Sequence, residues 1–227
     1  MKAMILAAGH GTRMRPLTDH TPKPLLEVGG QSLLAWHLDH LARAAIDEVI
    51  INIAWQGWQI PEALGDGSRW NMRLHYSDEQ QEGALETAGG IVKALPLLGD
   101  EPFLVVNGDV WCDYPCEPRE LAEQDLAHLV LVDNPPQHAV GDFGLEEGRV
   151  FATDTAYPKL TFSGIGYYHP ALFAGLDYGH RRLAPLLRAA MQAGRVSGEH
   201  YTGTWQDIGT PERLQAWDAV LRADIRR

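Results

Sequence analysis

Cations near the start of the chain stand in a pattern that suits the binding of phosphate groups. Residues 8–26 read AGHGTRMRPLTDHTPKPLL and follow a short apolar run, AMILA, that predicts a strand. Gly9 and Gly11 allow the backbone to turn closely around a ligand, so that loop amides can donate to phosphate oxygens. Arg13 can hold a phosphate through two parallel hydrogen bonds. Prolines stiffen the loop around Lys23, and the segment therefore predicts a polyphosphate site.

Two other phosphate-binding motifs are excluded by the sequence. A P-loop requires a glycine, four residues and then Gly-Lys-Ser/Thr, and this pattern does not occur in the chain. A dinucleotide-binding fingerprint requires a further glycine at position 14, where Met14 stands. The sequence also contains no His-Glu-x-x-His zinc motif.

Two aspartates could bind a metal ion beside this loop. The apolar run VV leads directly into Asn107-Gly108-Asp109, which places a carboxylate at the carboxyl end of a predicted strand. Asp207 lies shortly before a helix whose start is marked by Thr210 and Pro211. Mg²⁺ is typically held by one or two carboxylates together with substrate phosphates. Alternatively, Asp109 belongs to a simple turn and Asp207 to a helix cap.

A polar loop in the first half could contact a nucleotide base. Residues 77–90 read SDEQQEGALETAGG and end in a predicted helix start. Gln80, Gln81 and Glu86 offer the hydrogen-bond donors and acceptors that read a base edge. The alternative is a solvated acidic loop without a ligand.

The overall composition limits the classes of partner. The formal net charge is −11, which argues against broad binding to nucleic acid or to an anionic membrane. No apolar run approaches the roughly 18 residues that span a bilayer, and no signal peptide is recognisable. These features predict a cytoplasmic protein, with a monomer favoured over an oligomer. Cys112 and Cys116 are expected to be reduced thiols.

Strand and helix patterns alternate through the first half of the chain, which predicts an α/β fold with a mixed, mostly parallel sheet flanked by helices. One helix is expected to end at Pro96. Shorter β-like segments follow from about residue 135. We therefore expect one domain, residues 1–227, with a nucleotide-binding half at 1–134 and a sugar-binding half at 135–227. Ligands of such sheets bind beyond the carboxyl ends of the strands.

Three motifs together resemble those of the sugar-1-phosphate nucleotidylyltransferases. They are LAAGHGTRMRPLT with PKP, then NGD, then WQDIGTP, in the order that the family shows. The resemblance covers nearly the whole chain and implies a Rossmann-like, GT-A-type domain. It also implies that a nucleoside triphosphate reacts with a sugar 1-phosphate to form a nucleotide sugar and pyrophosphate, with Mg²⁺ as cofactor.

The resemblance also implies roles for individual residues. Arg13, Lys23 and Asp109 would be catalytic, with Arg13 on the β and γ phosphates and Lys23 between the α phosphate and the sugar phosphate. Asp109 and Asp207 would hold Mg²⁺. The nucleotide would contact Ala7, Gly9, Gly11, Thr12, Arg13, Lys23, Gln80, Gln81 and Glu86. The sugar would contact Asn107 and Gly144.

The chain departs from the common family pattern at two places. Members often have Gly-Thr where Glu86-Thr87 stands, and many carry a Glu-Lys-Pro segment where this chain has residues 156–159. Lys159 is a candidate to replace that lysine. The LETAGG motif and the short chain resemble a small bacterial subgroup that acts on N-acetylmuramate 1-phosphate with UTP in cell-wall recycling. Arg149 or Lys159 could meet the lactyl carboxylate of that sugar.

Other functions stay open at this point. A guanylyltransferase for mannose 1-phosphate or a thymidylyltransferase for glucose 1-phosphate would use the same chemistry. A non-catalytic sensor of nucleotide sugars would be expected to have lost Arg13, Lys23 or an aspartate, and all are present. A GT-A glycosyltransferase would be expected to carry Asp-x-Asp, which Asp109-Val110-Trp111 does not match.

Overall fold

A computed structural model describes residues 1–152 and 158–225 of the chain. The helices are α1 Leu33–Arg43, α2 Gln59–Leu64, α3 Glu86–Leu98, α4 Leu183–Gln192 and α5 Pro211–Ile225. The strands are β1 Ala3–Leu6, β2 Glu27–Val28, β3 Gln31–Ser32, β4 Glu48–Ile53, β5 Arg73–Asp78, β6 Phe103–Asn107, β7 Val110–Cys112, β8 Ala127–Val132, β9 Gly144–Glu146, β10 Arg149–Phe151, β11 Thr161–Tyr168, β12 Val196–His200 and β13 Trp205–Asp207. None of the helices in the described residues is long and apolar enough to cross a membrane.

One large sheet organises these elements. Its strand order is β5-β4-β1-β6-β11-β8-β12-β10-β9. Among the described strands of this sheet, all except β10 and β11 run in the same direction, as their pairings show. The carboxyl ends of β1, β4, β5 and β6 therefore meet at one edge. Both halves of the chain contribute strands to this sheet, and the predicted α/β fold class is confirmed.

Alternate residues of the central strands pack into two separate cores. Ile5 of β1 packs in the core that contains α1 and α2, whereas its neighbour Met4 packs in the core that contains α3 and α4. Ile51 and Ile50 of β4 divide in the same way. Because both faces are covered, the strands carry nearly continuous apolar sequences. The result is a sheet between two helical layers.

The structure corrects the predicted end of α3. The helix continues past Pro96 to Leu98. A proline within a helix removes one backbone donor and crowds the carbonyl four residues before it, but the buried Leu98 side chain, 2% exposed, holds the final turn against the core. Burial therefore outweighs the local preference of the sequence at this point.

The two cysteines lie unbridged and buried. Burial raises the pKa of both Cys112 and Cys116 to about 12. Their thiols therefore stay protonated at neutral pH, which agrees with the predicted reduced state.

Arg149, one of the cations proposed to bind the sugar, already forms an ion pair near one edge of the sheet. Arg149 on β10 donates through Nη1 and Nη2 to Asp125 Oδ1, at 2.6 and 2.7 Å. The Asp125 side chain is only 4% exposed. Arg149 therefore neutralises a buried carboxylate in this structure, and its proposed contact with a lactyl group would require that pair to open.

We expect Arg149→Met to destabilise the protein by about 3 kcal/mol, because it would leave a buried carboxylate without its partner. Arg73→Met is a matched control, since Arg73 donates to Glu48 from a side chain that is 73% exposed. Exposed pairs contribute about 0–1 kcal/mol. Urea denaturation of both variants measures the difference, and equal losses of unfolding free energy would contradict the prediction.

Candidate active site

A cleft of about 600 Å³ opens at the carboxyl ends of the parallel strands. Most of the residues predicted to bind ligand meet there. Those that line it are Ala7, Gly9, Gly11, Thr12, Arg13, Lys23, Glu86, Asn107 and Asp109. Its other lining residues include Asn52, Glu79, Ala84, Thr87, His180 and Gly209. The cleft therefore combines segments that are far apart in sequence.

The loop after β1 takes a conformation that depends on glycine. Gly11 has φ 61° and ψ 28°, in the left-handed region that glycine adopts without strain. Its carbonyl accepts hydrogen bonds from the Met14 amide and from Thr18 Oγ1, both at 2.8 Å. Thr18 is 1% exposed, so this bond is shielded from water. The bonds fix the short turn that carries Thr12 and Arg13 into the cleft.

A single ion pair joins this loop to the turn after β6. Lys23 Nζ lies 2.6 Å from Asp109 Oδ2, and the lysine side chain is only 9% exposed. A lysine is rarely buried without a partner, and Asp109 supplies one. The pair places the most buried cation of the loop beside the first predicted metal-binding carboxylate.

Close backbone contact positions the Asn107-Gly108-Asp109 turn. The Gly108 amide donates to the Leu6 carbonyl at 2.9 Å. A Cβ atom on Gly108 would lie 2.7 Å from the same oxygen, so no other residue fits without movement. Asn107 in turn packs against Gly164 of β11, where a Cβ would lie 2.6 Å from Asn107 Nδ2. Gly108 and Gly164 thus allow the turn to pack closely against β1 and β11.

Asp207 lies near Asp109 but does not line the cleft. The antiparallel pair β7–β13 places Asp207 opposite Val110, and the Ile208 amide donates to the Asp109 carbonyl at 3.0 Å. Arg213 on α5 forms an ion pair with Asp207 Oδ2. The two carboxylates therefore sit at neighbouring positions of paired strands, and each accepts a hydrogen bond from a cationic side chain.

This donor set fits a hard divalent cation. The described residues contain no cluster of three or more protein ligands. Two carboxylates are nevertheless the usual protein contribution to Mg²⁺, whose remaining positions are taken by phosphate oxygens and water. The neighbouring cations Lys23 and Arg213 keep both carboxylates neutralised in the absence of ligand.

Three further predicted contact residues lie outside the lining of the cleft. The Gln80 amide and its Nε2 donate to the Asp78 carboxylate, at 2.8 and 3.0 Å, and Gln81 is exposed. Gly144 is buried in β9 at the opposite edge of the sheet from β5. Their predicted contacts with base and sugar therefore stay predictions. Of the segment expected to replace the family lysine, residues 156 and 157 lie outside the described part of the chain, and Lys159 lies within it.

A series of buried hydrogen bonds beneath the cleft was not predicted from the sequence. The Ala7 amide donates to Asn52 Oδ1, and Asn52 Nδ2 donates to Glu79 Oε1, both at 2.8 Å. Glu79 Oε2 accepts from the Leu85 amide at 2.8 Å, and Glu79 is 0% exposed. These hydrogen bonds link the ends of β1, β4 and β5 to the start of α3. One signal was available for Asn52, a polar residue within the apolar run VIINIA.

Comparison with known proteins identifies the family. The family model described as nucleotidyl transferase matches residues 2–148. The chain is 51% identical over 230 residues to N-acetylmuramate alpha-1-phosphate uridylyltransferase of Neisseria meningitidis, with 98% of this chain and 99% of that protein covered. The chain belongs to the nucleotidyl transferase family. The loop after β1 and the NGD turn both lie within the matched residues.

More distant relatives share the fold. The protein of the same name in Caulobacter vibrioides is 33% identical, with 96% of each chain covered. Mannose-1-phosphate guanyltransferase beta-A of Xenopus laevis is 28% identical over all of this chain and 66% of its own length. A crystal structure of a putative glucose-1-phosphate thymidylyltransferase from Bacillus anthracis superposes with a TM-score of 0.85 at 22% identity, covering 98% of this chain and 95% of that one. That likeness supports the fold class.

The buried carboxylate of Glu79 makes stability depend on pH. Burial raises the pKa of Glu79 above its ordinary value of 4.5, so the folded protein binds this proton more tightly than the unfolded chain does. Stability is therefore lost as pH rises from the unfolded pKa through the raised folded pKa. Glu79→Gln removes the titration, and we expect the stability of wild type relative to the variant to decrease as pH rises above the ordinary pKa of a glutamate.

Urea denaturation of wild type and Glu79→Gln at several pH values tests this expectation. Glu62→Gln is the control, because Glu62 is an exposed residue of α2 that does not line the cleft. A constant free-energy difference between wild type and Glu79→Gln across the range would refute the proposed titration.

Proposed function

We propose that the chain transfers a uridylyl group from UTP to N-acetylmuramate 1-phosphate, forming UDP-N-acetylmuramate and pyrophosphate. The 51% identity over nearly the full length of both chains is the observation that carries this proposal. The cleft supports it, because the loop predicted to bind polyphosphate, a buried lysine and a carboxylate line one cavity. We expect this reaction to take place in the cytoplasm, within a single domain whose two halves bind nucleotide and sugar respectively.

In the proposed mechanism, charge neutralisation and alignment replace acid–base chemistry. The attacking oxygen of the sugar phosphate is already ionised and needs no strong general base. Both reactants are anionic, so the protein must offset their repulsion while it holds them in line. Arg13 and the amides of Gly11 and Thr12 would hold the departing pyrophosphate. Lys23 would contact the α phosphate and the incoming sugar phosphate.

Asp109 and Asp207 would hold Mg²⁺ in the same proposal. The ion would supply electrostatic stabilisation of the charge that develops on the phosphate oxygens. Lys23 would then give up its contact with Asp109 and pair with phosphate instead, and Arg213 would give up its contact with Asp207. Lys23 would thus exchange one anionic partner for another.

We expect Lys23→Ala and Asp109→Asn to lower turnover on the order of 100-fold or more, as removal of one preorganised electrostatic group typically does. Arg15→Ala is a matched control from the same loop. Arg15 is 62% exposed, pairs with Asp19 and does not line the cleft. Steady-state pyrophosphate release measures the turnover of all three variants. Near-wild-type turnover in the Lys23 or Asp109 variant would contradict the proposed roles.

A pyrophosphate-release assay with Mg²⁺, crossing four nucleoside triphosphates with a panel of sugar 1-phosphates, tests the substrate assignment. We expect release with UTP and N-acetylmuramate 1-phosphate. Release only with GTP and mannose 1-phosphate, or only with dTTP and glucose 1-phosphate, would transfer the assignment to the corresponding enzyme. Absence of release with every pair would favour a non-catalytic sensor of nucleotide sugars.

A further inference from the structure

The proposed sugar substrate differs from its alternatives by one negative charge. N-acetylmuramate 1-phosphate carries a lactyl ether with a carboxylate, which mannose 1-phosphate and glucose 1-phosphate lack. Arg13 and Lys23 line the cleft in the first half of the chain, where the proposed function places them on phosphates. Recognition of the lactyl carboxylate therefore calls for a hydrogen-bond donor in the second half of the chain, at the same end of the sheet.

Arg149 lies at the wrong end of the sheet for this role. Its partner Asp125 precedes the amino end of β8, whereas the cleft lies at the carboxyl ends of the parallel strands. β8 contains six residues, which corresponds to a length of about 20 Å. The length of this strand therefore separates Arg149 from the end where the sugar 1-phosphate is expected to bind.

His200 is the last residue of β12 and lies at the end of the sheet that carries the cleft. β12 pairs in parallel with β8, and β11 pairs antiparallel with both β8 and β6. The carboxyl ends of β6, β8 and β12 therefore point the same way. Asn107, which lines the cleft, is the last residue of β6. His200 thus occupies the position in the second half of the sheet that Asn107 occupies in the first.

The alternation of side chains places His200 and Asn107 on the same face of the sheet. Val196 of β12 and Val105 of β6 both pack in the core that contains α3 and α4. Successive side chains of a strand point to opposite faces, so residues at even spacing share a face. His200 follows Val196 by four residues, and Asn107 follows Val105 by two. Both side chains therefore project on the α3 and α4 side.

The path from Asn107 to His200 crosses β11 and β8. Neighbouring strands lie about 4.8 Å apart, so the three steps from β6 to β12 amount to about 14 Å. At the first step, Gly164 of β11 lies against the Asn107 side chain and adds no side chain of its own. A sugar ring with its phosphate near Lys23 and its lactyl group directed along the sheet can bridge this span to the imidazole.

The His200 imidazole has a partner that a ligand can replace. Its Nε2 lies 2.9 Å from Asp133 Oδ1, so the hydrogen bond requires the proton on Nε2. The Asp133 side chain is 82% exposed and the His200 side chain 35% exposed. Exposed ion pairs contribute little to stability. A carboxylate of a bound sugar can therefore take the place of Asp133, whereas Arg149 would have to abandon a buried carboxylate.

We propose that His200 is a specificity-determining residue that donates from Nε2 to the lactyl carboxylate of N-acetylmuramate 1-phosphate. The inference rests on the proposed function, since it assumes that this sugar 1-phosphate binds beside the nucleotide. It assigns recognition of the acidic substituent to the end of β12 and not to Arg149. In the free protein, the Asp133 carboxylate takes the position of the ligand carboxylate.

The methyl ester of the lactyl carboxylate isolates this contact, because it removes the charge and keeps the rest of the sugar 1-phosphate. Pyrophosphate release at saturating UTP and Mg²⁺ measures KM for the acid and for the ester. We expect the KM of wild type to be about tenfold lower for the acid, the difference that one hydrogen bond to a charged group makes. We expect His200→Ala to have the same KM for both, with a kcat close to that of wild type.

Two further variants separate recognition from folding. His200→Gln keeps an N–H donor near the position of Nε2, so we expect it to retain part of the preference for the acid. Asp133→Asn removes the competing carboxylate, so we expect its KM for the acid to fall by up to about fivefold while its KM for the ester stays unchanged. A variant that binds the acid more tightly cannot owe this change to misfolding.

His75→Ala is the matched control. His75 is also a partly exposed histidine beside a carboxylate, with Nε2 3.3 Å from Glu48 Oε1, but it lies on β5 at the edge of the sheet remote from β12. We expect this variant to prefer the acid as strongly as wild type does. Arg149→Met should also keep the preference.

Retention of the full preference for the acid in His200→Ala would overturn the role of His200. Loss of that preference in Arg149→Met or Lys159→Ala instead would assign the carboxylate to the residue concerned. Equal KM values for acid and ester in wild type would overturn the inference and leave the proposed function intact. Absence of pyrophosphate release by wild type with UTP and the acid would overturn the proposed function itself, and the inference with it.

Discussion

The contact between Lys23 and Asp109 is the interaction on which the site depends. It joins the loop after β1 to the turn after β6 at a distance of 2.6 Å, and its lysine is almost fully enclosed. A buried charge is tolerated only with a partner, so each residue fixes the place of the other. The loop and the turn can approach this closely because Gly108 lies against the Leu6 carbonyl. Parallel pairing of β1 with β6 then brings both segments to the same edge.

The same pair suits an enzyme whose substrates are all anions. An empty cleft that contained only cations would be destabilised by their mutual repulsion, and one that contained only carboxylates would repel phosphate. Here Lys23 pairs with Asp109, and Arg213 pairs with Asp207, so each of these four charges is offset in the free protein. In the proposed mechanism, a phosphate would replace Asp109 as the partner of Lys23, and a divalent cation would bind the two carboxylates. The charges of the substrates would therefore be offset by groups that already lie at the site.

The sequence predicted the parts of the site that lie within continuous segments. Gly11, Arg13 and Lys23 stand in one loop, and Asp109 follows an apolar strand, so their order in the chain reflects their place at the end of the sheet. Asn52, Glu79 and His180 could not be found in this way. Their contribution depends on which strands become neighbours and on where a loop from the other half is seated. Pairing of distant segments is decided by packing of the whole domain.

The strain at Glu86 and the burial of Glu79 belong to one local arrangement. Glu79 accepts the Leu85 amide, and the next residue, Glu86, turns into the left-handed region to start α3. Two glycines allow neighbouring groups to pack closely against this turn. A Cβ atom on Gly89 would collide with the Gly179 carbonyl, and one on Gly90 would collide with Asn52 and Glu79. The small size of Gly89 and Gly90 therefore makes room for Glu79 and for the backbone of the C-terminal half. Hydrogen bonds and close backbone contacts therefore hold this turn in place, and the Glu86 carboxylate adds an ion pair with Arg182 of the C-terminal half, whose Nε lies 3.7 Å from Glu86 Oε1.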